Sequence, residues 1–418
     1  MATQDTTRPA IVRSIPLILG AGSLIAVLSF GPRSTMGFFL TPMTSEYGWS
    51  RETFAFAIAL QNLVWGIGQP FVGMVADKFG TARVLSVGAL FYALGLALMS
   101  VTTDPLALQF TAGVLIGLGI AGSAFLLVLA AFARLLPQET RTLGYGIGTA
   151  AGSVGQFIFA PLGQGFISAY GWHTALLLMA LTVLAIPFLS YVVRGKPASS
   201  APAGQREQSM IEALREAFGH NSYRLLVAGF FVCGFQIAFI TVHLPPYLSD
   251  IGIPAIYGAY AIGLIGLFNI FGAFTSGFLT GRVAQKRMIL VWLYLARAAV
   301  IAAFILLPPS IPSVLIFSAL MGFMWLSTIP PTQQLVVAMF GTRYLATLFG
   351  FVFFSHQVGS FFGVWLGGVL YDRTGSYDVV WWISVALGVF AAAVNFPISE
   401  KAVGRGGDTA AAPAGGGY

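Results

Sequence analysis

Long apolar segments recur along the whole chain and are separated by short polar stretches. Each segment has roughly 20 residues or more, which suffices for an α-helix to cross the ~30 Å hydrocarbon core of a bilayer. The pattern predicts an all-α integral membrane protein with twelve transmembrane helices. The predicted spans are residues 15–42, 53–76, 84–102, 106–134, 141–168, 172–193, 223–247, 256–282, 288–308, 311–338, 344–371 and 378–398.

The composition supports this interpretation. Hydrophobic residues make up 57% of the 418 residues and charged residues only 8%, against about 25% charged in soluble domains. If both termini are cytoplasmic, two of the 21 basic residues are external, two lie within spans, and the others are in cytoplasmic segments. This distribution follows the positive-inside rule. We therefore expect a multi-pass protein of the cytoplasmic membrane, in which the net charge of +7 reflects topology and not nucleic-acid binding.

The longest polar segment, residues 194–222, divides the spans into two groups of six. Its first part is rich in Gly, Pro, Ala and Ser and predicts a flexible linker. In its second part, Ile211, Leu214 and Phe218 share one face of an amphipathic helix, which we expect at the cytoplasmic interface. The expected domains are an N-terminal six-helix bundle (1–193), a cytoplasmic linker (194–222), a C-terminal six-helix bundle (223–400) and a disordered cytoplasmic tail (401–418).

The two groups of six repeat each other at an offset of 204 residues. Gly73 of span 2 corresponds to Gly277, and Phe157 of span 5 corresponds to Phe361. Parallel six-helix halves, related by a pseudo-two-fold axis along the membrane normal, are one architecture of secondary transporters. Such proteins bind substrate between the halves, near the middle of the membrane.

The loop after span 2 reads GMVADKFG over residues 73–80, with Arg83 beyond it. It resembles the loop signature of the major facilitator superfamily. The resemblance implies a pseudo-symmetric twelve-helix transporter. No nucleotide-binding loop, metal cluster or catalytic triad appears in the sequence, so we expect neither a cofactor nor an enzymatic activity. The resemblance further implies that Asp77 contacts helix 11 and stabilises the outward-open state. The residues that match this conformational-switch loop are Gly73, Asp77, Lys78, Gly80 and Arg83.

An arginine lies inside the first predicted span. Arg33 is roughly 27 Å along a helix that starts at Ile15, and about 13 Å short of its predicted end near Pro42. A cation at that depth costs at least ~2.5 kcal/mol and normally faces a water-filled cavity. Arg33 is therefore either a structural residue bound to backbone carbonyls or the ligand of an anion.

Two local resemblances favour the anion ligand. Residues 30–39, FGPRSTMGFF, are similar to the first helix of monocarboxylate transporters, in which a proline–lysine pair precedes an aromatic run and the lysine serves substrate and proton. Residues 349–357, FGFVFFSHQ, resemble oxalate–formate antiporters, which have a cationic side chain at the position of His356. The chain departs from both families in span 8, where Ala273 occupies the position of their substrate-binding arginine.

The predicted membrane interior is cationic. All 14 acidic residues fall in loops, termini or span edges, whereas cation carriers and many proton-driven exporters need interior carboxylates. A cavity with uncompensated positive charge attracts an anion. Polar residues of other spans would orient that anion, or alternatively join helices at about 0.6 kcal/mol each. The candidate substrate-binding residues are Arg33, Gln61, Gln156, Gln236, Asn269, Trp325, His356 and Gln357.

Other polar residues are assigned to packing or to the interface. Arg297 lies in span 9, a peripheral helix in the superfamily, and we expect it to bind backbone carbonyls or the cytoplasmic interface. His173, His220 and His243 fall at predicted span ends and are expected to be interfacial. The single cysteine, Cys233, is expected to be a small packing residue.

The sequence thus predicts a monomeric secondary transporter that moves a small organic anion, a mono- or dicarboxylate, by alternating access. His356 is the candidate for proton coupling, because an arginine does not release its proton in proteins. Symport, antiport and uniport, and import and export, stay open. The alternatives are an efflux pump for an amphiphilic compound and, from another class, a non-transporting membrane sensor.

Overall fold

The computed structural model of the chain describes residues 14–195, 209–341 and 344–403, and these ranges are almost entirely helical. Eleven helical stretches in them are long and apolar enough to cross a membrane. The longest, Gln138–Ser190, has 53 residues, and a straight helix of that size would be about 80 Å long. The backbone turns at Gly171, where φ is +77°, so this stretch makes two crossings. The prediction of a twelve-helix fold is confirmed.

We number the twelve spans α1 to α12. Four are interrupted or bent: α1 between Ser34 and Met36, α4 by a π-helical turn and again near Ala124, α6 near Leu184, and α10 between Met324 and Ile329. Their bounds are α1 Ile15–Tyr47, α2 Arg51–Phe79, α3 Thr81–Met99, α4 Pro105–Leu135, α5 138–170, α6 172–190, α7 Asn221–Asp250, α8 Ala255–Arg282, α9 Lys286–Leu306, α10 Ile311–Phe340, α11 Leu345–Thr374 and α12 Asp378–Asn395.

The largest difference from the predicted spans is in α1, which continues past Pro42 to Tyr47. A proline lacks the N–H that bonds to the preceding turn, and its ring clashes there. Pro42 nevertheless lies in the second turn of the segment Met36–Tyr47 and does not end it. The interruption of α1 is instead near Pro32, directly beside Arg33.

A short helix, Met210–Gly219, precedes α7. The hydroxyl of Ser209 accepts a hydrogen bond from the Glu212 N–H, and the Glu212 carboxylate accepts one from the Ser209 N–H. This capping box satisfies two otherwise unpaired donors. Ala213 and Ala217 face the protein, whereas Ile211 is 69% exposed, so an apolar face is available to the bilayer surface.

Small residues bring α7 and α11 into backbone contact. A Cβ atom at Gly359 would lie 1.9 Å from the Phe231 carbonyl oxygen, and one at Gly363 would lie 2.3 Å from that of Phe235. Larger residues at either position would push the helices apart, since a packed interior does not absorb added volume. These contacts hold the C-terminal bundle together around the segment that carries His356.

The two halves meet along α2 and α11, which run antiparallel. We call this contact the α2–α11 seam. The distal end is the end of the bundle opposite Ser14 and Val403, the first and last described residues. The backbone N–H groups of Arg51 and Glu52 donate to the Asp372 carboxylate, and Gly66 packs against Gln357 further along the seam. The distal end is therefore closed.

The seam opens towards the other end of the bundle. The register that pairs residue 51 with 372 and residue 66 with 357 would place Gly73 opposite Gly350. A Cβ atom at either glycine would have no atom within 4 Å. In the part of the chain that the structure describes, the halves thus separate towards the end where Ser14 and Val403 lie.

Candidate functional site

Arg33 lies at the interruption of α1. Pro32 occupies the last turn of the first segment, and the Thr35 N–H bonds to the Pro32 carbonyl at 3.1 Å instead of continuing the regular helical pattern. The hydroxyl of Ser34 donates to the Gly31 carbonyl, and that of Thr35 donates to the Pro32 carbonyl. The local chain thus satisfies its own backbone groups, and the side chain of Arg33 is left to make tertiary contacts.

The guanidinium of Arg33 is held by α2. Its Nη2 donates to the Oδ1 of Asn62 at 2.8 Å, and the Asn62 amide nitrogen donates to the Ile58 carbonyl, which fixes the amide. The Arg33 Cζ also lies 4.7 Å from the ring centroid of Trp65 and 5.5 Å from that of Phe30. Cation–π contacts of this kind orient a guanidinium without neutralising its charge.

No carboxylate of the described residues forms an ion pair with Arg33. The salt bridges among them are Arg51–Asp250 and His173–Glu46, both at the distal end. Arg33 is half-buried and therefore loses part of its hydration. Among the described residues, no opposite charge offsets that cost. The arrangement can hold an anionic group.

On α11, the candidate site consists of His356 and Gln357. The His356 Nδ1 lies 3.2 Å from the Gln357 Oε1, and both side chains are buried. The Gln357 Nε2 is fully buried and has no hydrogen-bond partner in the described part of the chain. Because an unpaired buried donor costs about 1–3 kcal/mol, a bound acceptor at this position would relieve that cost.

Aromatic rings connect the two regions across the seam. The Trp65 and Phe353 ring centroids are 5.4 Å apart, and Phe353 stacks on His356 at 5.7 Å with an interplanar angle of 8°. Arg33, Trp65, Phe353 and His356 thus form a continuous array from α1 through α2 to α11, which we call the aromatic array. It brings three of the eight predicted site residues (Arg33, His356, Gln357) into one region.

The five other predicted site residues make helix–helix contacts. Within one half, the Gln61 amide donates to the Ala112 carbonyl and the Gln236 amide to the Ser384 carbonyl. Across the halves, the Gln156 amide donates to the Ile262 carbonyl. Trp325 lies in the core of the C-terminal bundle, at the break in α10.

Asn269 also joins the two halves. Its amide nitrogen donates to the Ser153 hydroxyl at 2.7 Å, and its oxygen accepts from the Leu326 N–H at 2.9 Å. Its hydrogen-bonding capacity is therefore largely used by α5 and by the break in α10. For the four amide residues among these five, the geometry favours the alternative of contacts between helices.

The expectation for Arg297 is confirmed and that for His243 is wrong. The Arg297 Nη2 donates to the carbonyls of Met324 and Trp325. His243 is not interfacial but fully buried. Its Nε2 lies 2.8 Å from the Val364 carbonyl and its Nδ1 lies 3.2 Å from the Tyr377 hydroxyl. Because α7 continues to Asp250, His243 lies well inside the helix and not at its end.

The structure describes part of the predicted switch loop. Gly80 ends α2 with φ +93°, a conformation that favours glycine. The side chains of Lys78 and Arg83 are exposed, and Gly73 has open space beside it. The side chain of Asp77 is outside the described part of the structure, so its contact with α11 stays a prediction.

Sequence reasoning missed Asn62, Trp65, Phe30 and Phe353. The signal for two of them is present, since Asn62 and Trp65 are three residues apart on α2 and therefore share one face. Asn62 is adjacent to Gln61, which we selected, but successive helical residues point in different directions. Whether Gln61 or Asn62 points towards Arg33 depends only on the orientation of α2 relative to α1.

The chain matches the family model of the Major Facilitator Superfamily over residues 22–364. It belongs to that superfamily. Among curated relatives, the uncharacterized MFS-type transporter YcxA of Bacillus subtilis is 23% identical over 359 residues, covering 83% of this chain and 86% of that protein. Human monocarboxylate transporter 12 is 26% identical over 380 residues, covering 81% of this chain and 70% of that protein. Zebrafish monocarboxylate transporter 12-B is 27% identical over 352 residues, covering 75% and 72%.

Two solved structures share the fold. A bacterial homologue of the human lysosomal transporter Spinster, inward-facing and unoccupied, superposes with a TM-score of 0.71 at 17% identity, covering 92% of this chain and 97% of that one. A D-xylose–proton symporter superposes with a TM-score of 0.71 at 14% identity, covering 94% and 100%. The chain is thus a multi-pass membrane transporter with monocarboxylate transporters among its relatives, and not an enzyme.

Proposed function

We propose that this transporter moves a small organic monocarboxylate across the membrane by alternating access, and that Arg33 binds its carboxylate. The observation that carries the proposal is the half-buried guanidinium of Arg33, which Asn62 and Trp65 hold and which pairs with no carboxylate of the described residues. The monocarboxylate transporters among the relatives support the same class of substrate. Charge-assisted hydrogen bonds from a guanidinium to a carboxylate are short and directional, which suits such a ligand.

A single carboxylate fits the site better than two. The second deep guanidinium, Arg297, already donates to two carbonyls and to the sulfur of Cys233, so it is not available to a ligand. Phe30, Trp65 and Phe353 surround Arg33 and His356 with apolar ring surface. This environment favours one charged end and an apolar body.

The structure corresponds to an inward-open conformation if the termini are cytoplasmic, as the distribution of basic residues predicts. The distal end is closed by Arg51, Asp250 and Asp372, and the seam is open beside Gly73 and Gly350. Rocking of the halves about the aromatic array would close one end and open the other, as expected for alternating access.

Counterflow in proteoliposomes tests the proposal with a panel of radiolabelled monocarboxylates, dicarboxylates and neutral amides of the same carbon skeletons. Arg33→Ala should reduce monocarboxylate counterflow by about tenfold or more, since hydrogen bonds to charged groups contribute about 1.5–3 kcal/mol. Arg33→Lys should retain part of the activity, because it keeps the charge but loses the planar fork.

Arg224→Ala is the matched control. Arg224 is exposed at the start of α7, and its Nη2 donates only to Asn221 on the same helix among the contacts of the described residues. The Arg224→Ala variant should transport the monocarboxylate at the wild-type rate. Undiminished monocarboxylate counterflow by Arg33→Ala would contradict the assigned site, and a preference for neutral lipophilic compounds that ignores Arg33 would favour the amphiphile exporter.

A further inference from the structure

A second polar cluster lies deep in the C-terminal bundle, where α7, α9, α10 and α11 meet. Arg297 is fully buried there. Its Nη2 donates to the Met324 and Trp325 carbonyls at the break in α10, and its Nη1 donates to the Sγ of Cys233 at 3.4 Å. Its Nε has no hydrogen-bond partner among the described atoms. The guanidinium is thus almost enclosed, but its charge is incompletely compensated.

The charge of Arg297 requires an anion, and no carboxylate in the described part of the chain supplies it. The salt bridges of the described residues are elsewhere, and an uncompensated buried ion costs several kcal/mol. Two groups beside the guanidinium can ionise, namely the thiol of Cys233 and the hydroxyl of Tyr294. In unperturbed peptides a thiol ionises near pH 8.5 and a tyrosine near pH 10, so the thiol is the better source of negative charge.

Groups from several elements face the sulfur of Cys233. Arg297 and Tyr294 approach it from α9, and the hydroxyl of Thr328 lies 3.3 Å away beside the break in α10. His356 of α11 is close by, because the next residue of α7, Gly234, packs directly against the His356 backbone. Cys233 is fully buried. The imidazole of His356 therefore connects this cluster to the aromatic array and, through Phe353 and Trp65, to Arg33.

We propose that Cys233, His356 and Arg297 form the proton-binding site of the transporter, in which the thiolate of Cys233 balances Arg297 and shares a proton with His356. In the empty state the thiolate of Cys233 and the guanidinium of Arg297 balance each other. Uptake of one proton from water, either on Sγ or on a ring nitrogen, leaves a net charge of +1. The same proton returns to water after transport, and no other reactant is needed.

This inference rests on the proposed function and deepens it by naming the groups that carry the proton. A net positive charge beside the aromatic array attracts the substrate anion, and the bound anion in turn stabilises the added proton. Linkage makes this effect reciprocal, so each of the two ligands strengthens the binding of the other. A cysteine and a histidine thereby take the place of the interior carboxylate that many proton-driven carriers use.

The first test is spectroscopic. Cys233 is the only cysteine of the chain, so the ultraviolet absorbance of a thiolate in the purified protein reports on this residue alone. We expect thiolate absorbance at neutral pH, its loss in a single protonation step on acidification, and no signal in Cys233→Ser. An absorbance that appears only in the alkaline range of an ordinary thiol would overturn the proposal.

The second test is gradient-driven uptake of a monocarboxylate into proteoliposomes. A gradient of one pH unit should drive about tenfold accumulation by the wild type in one-to-one symport. Cys233→Ala and Cys233→Ser should lose this accumulation and keep counterflow. His356→Gln should lose the accumulation as well. Ser355→Ala is the matched control, since its hydroxyl joins α11 to α7 through the Val227 carbonyl and does not titrate.

The two proposals fail in different ways. If the wild type shows no monocarboxylate counterflow, the proposed function is wrong, whereas the thiolate titration still decides the ionisation of Cys233. If counterflow is normal but Cys233→Ser keeps gradient-driven accumulation, or the wild type ignores the gradient, the proton site is wrong and the substrate site stands. Size-exclusion chromatography shows whether each variant is folded before it is assayed.

Discussion

The ion pair that closes the distal end should set the balance between the two conformations. Arg51 at the start of α2 donates through Nη1 and Nη2 to the two carboxylate oxygens of Asp250, at 2.6 and 2.7 Å. Its Nη1 also donates to the Tyr377 hydroxyl at 2.9 Å, and its Cζ lies 3.7 Å from the Tyr371 ring centroid. All three partners belong to the C-terminal half, so opening the distal end breaks every one of these contacts.

The structure bounds the size of the effect. The side chains of Arg51 and Asp250 are 13% and 28% exposed, so water screens the pair only in part. Fully exposed pairs contribute about 0.2–1 kcal/mol, and hydrogen bonds to charged groups about 1.5–3 kcal/mol. We therefore expect about 1.5 kcal/mol for this pair, which corresponds to roughly tenfold in the ratio of the conformations.

A double-mutant cycle isolates the contribution of the Arg51–Asp250 pair to the conformational equilibrium. Asp250→Ala should shift the equilibrium roughly tenfold towards the open distal end. Arg51→Ala should shift it further, because the contacts with Tyr371 and Tyr377 are lost as well. The double variant should resemble Arg51→Ala alone, since the pair can be lost only once.

The reporter is a cysteine at position 55, probed with a membrane-impermeant thiol reagent. Ala55 is fully buried against Gly368 in the seam, so it reacts only when the distal end opens, and the buried Cys233 contributes little background. Glu46→Ala is the control, because Glu46 pairs with His173 inside the N-terminal half. Additive effects of Arg51→Ala and Asp250→Ala, with no coupling energy, would refute the reasoning.

Two further predictions concern the seam and the packing of α11. Asp77→Asn should shift the resting equilibrium towards the inward-open state without changing substrate choice, and an unchanged labelling pattern at cysteines of both ends would count against it. Gly359→Ala should lower stability by about 1–3 kcal/mol, because the new methyl group meets the Phe231 carbonyl. Gly350→Ala on the same helix meets nothing within 4 Å, so a scan in which both variants melt alike would contradict the packing argument.

The number and type of helices could be predicted from the sequence because a membrane imposes a minimum length of apolar helix. The interruptions within the helices were harder to predict. Pro42 suggested the end of α1, yet the helix continues to Tyr47, whereas Thr35 interrupts it without any local signal other than the nearby Pro32. Tertiary packing decides which proline a helix tolerates, and periodicity does not contain that information.

The candidate site could be proposed from the sequence where a charge was too deep to be accidental. Arg33 and Arg297 are equally conspicuous in sequence, and the assignment of Arg297 to structure rested only on the number of its helix. Their hydrogen-bond partners distinguish their roles. Arg33 donates to Asn62, whereas Arg297 donates to the carbonyls of Met324 and Trp325. These partners all lie on other helices. Amide side chains such as Gln61 could not be sorted in advance, because the direction in which a side chain points depends on the rotation of its helix.

The position of the site along the seam suggests how binding would act on the halves. The seam is closed from Asp372 to Gln357 and open from Gly350 onwards, and the aromatic array lies at the point where closure ends. Since Gly73 and Gly350 carry no side chains, α2 and α11 can approach there without a steric barrier. The same register brings residue 77 to the N-terminal turn of α11, where an aspartate is favoured by the unpaired backbone N–H groups. An anion bound at Arg33 and Gln357, as we propose, would contact both halves at this point, so its binding energy would be available to draw the open end of the seam together.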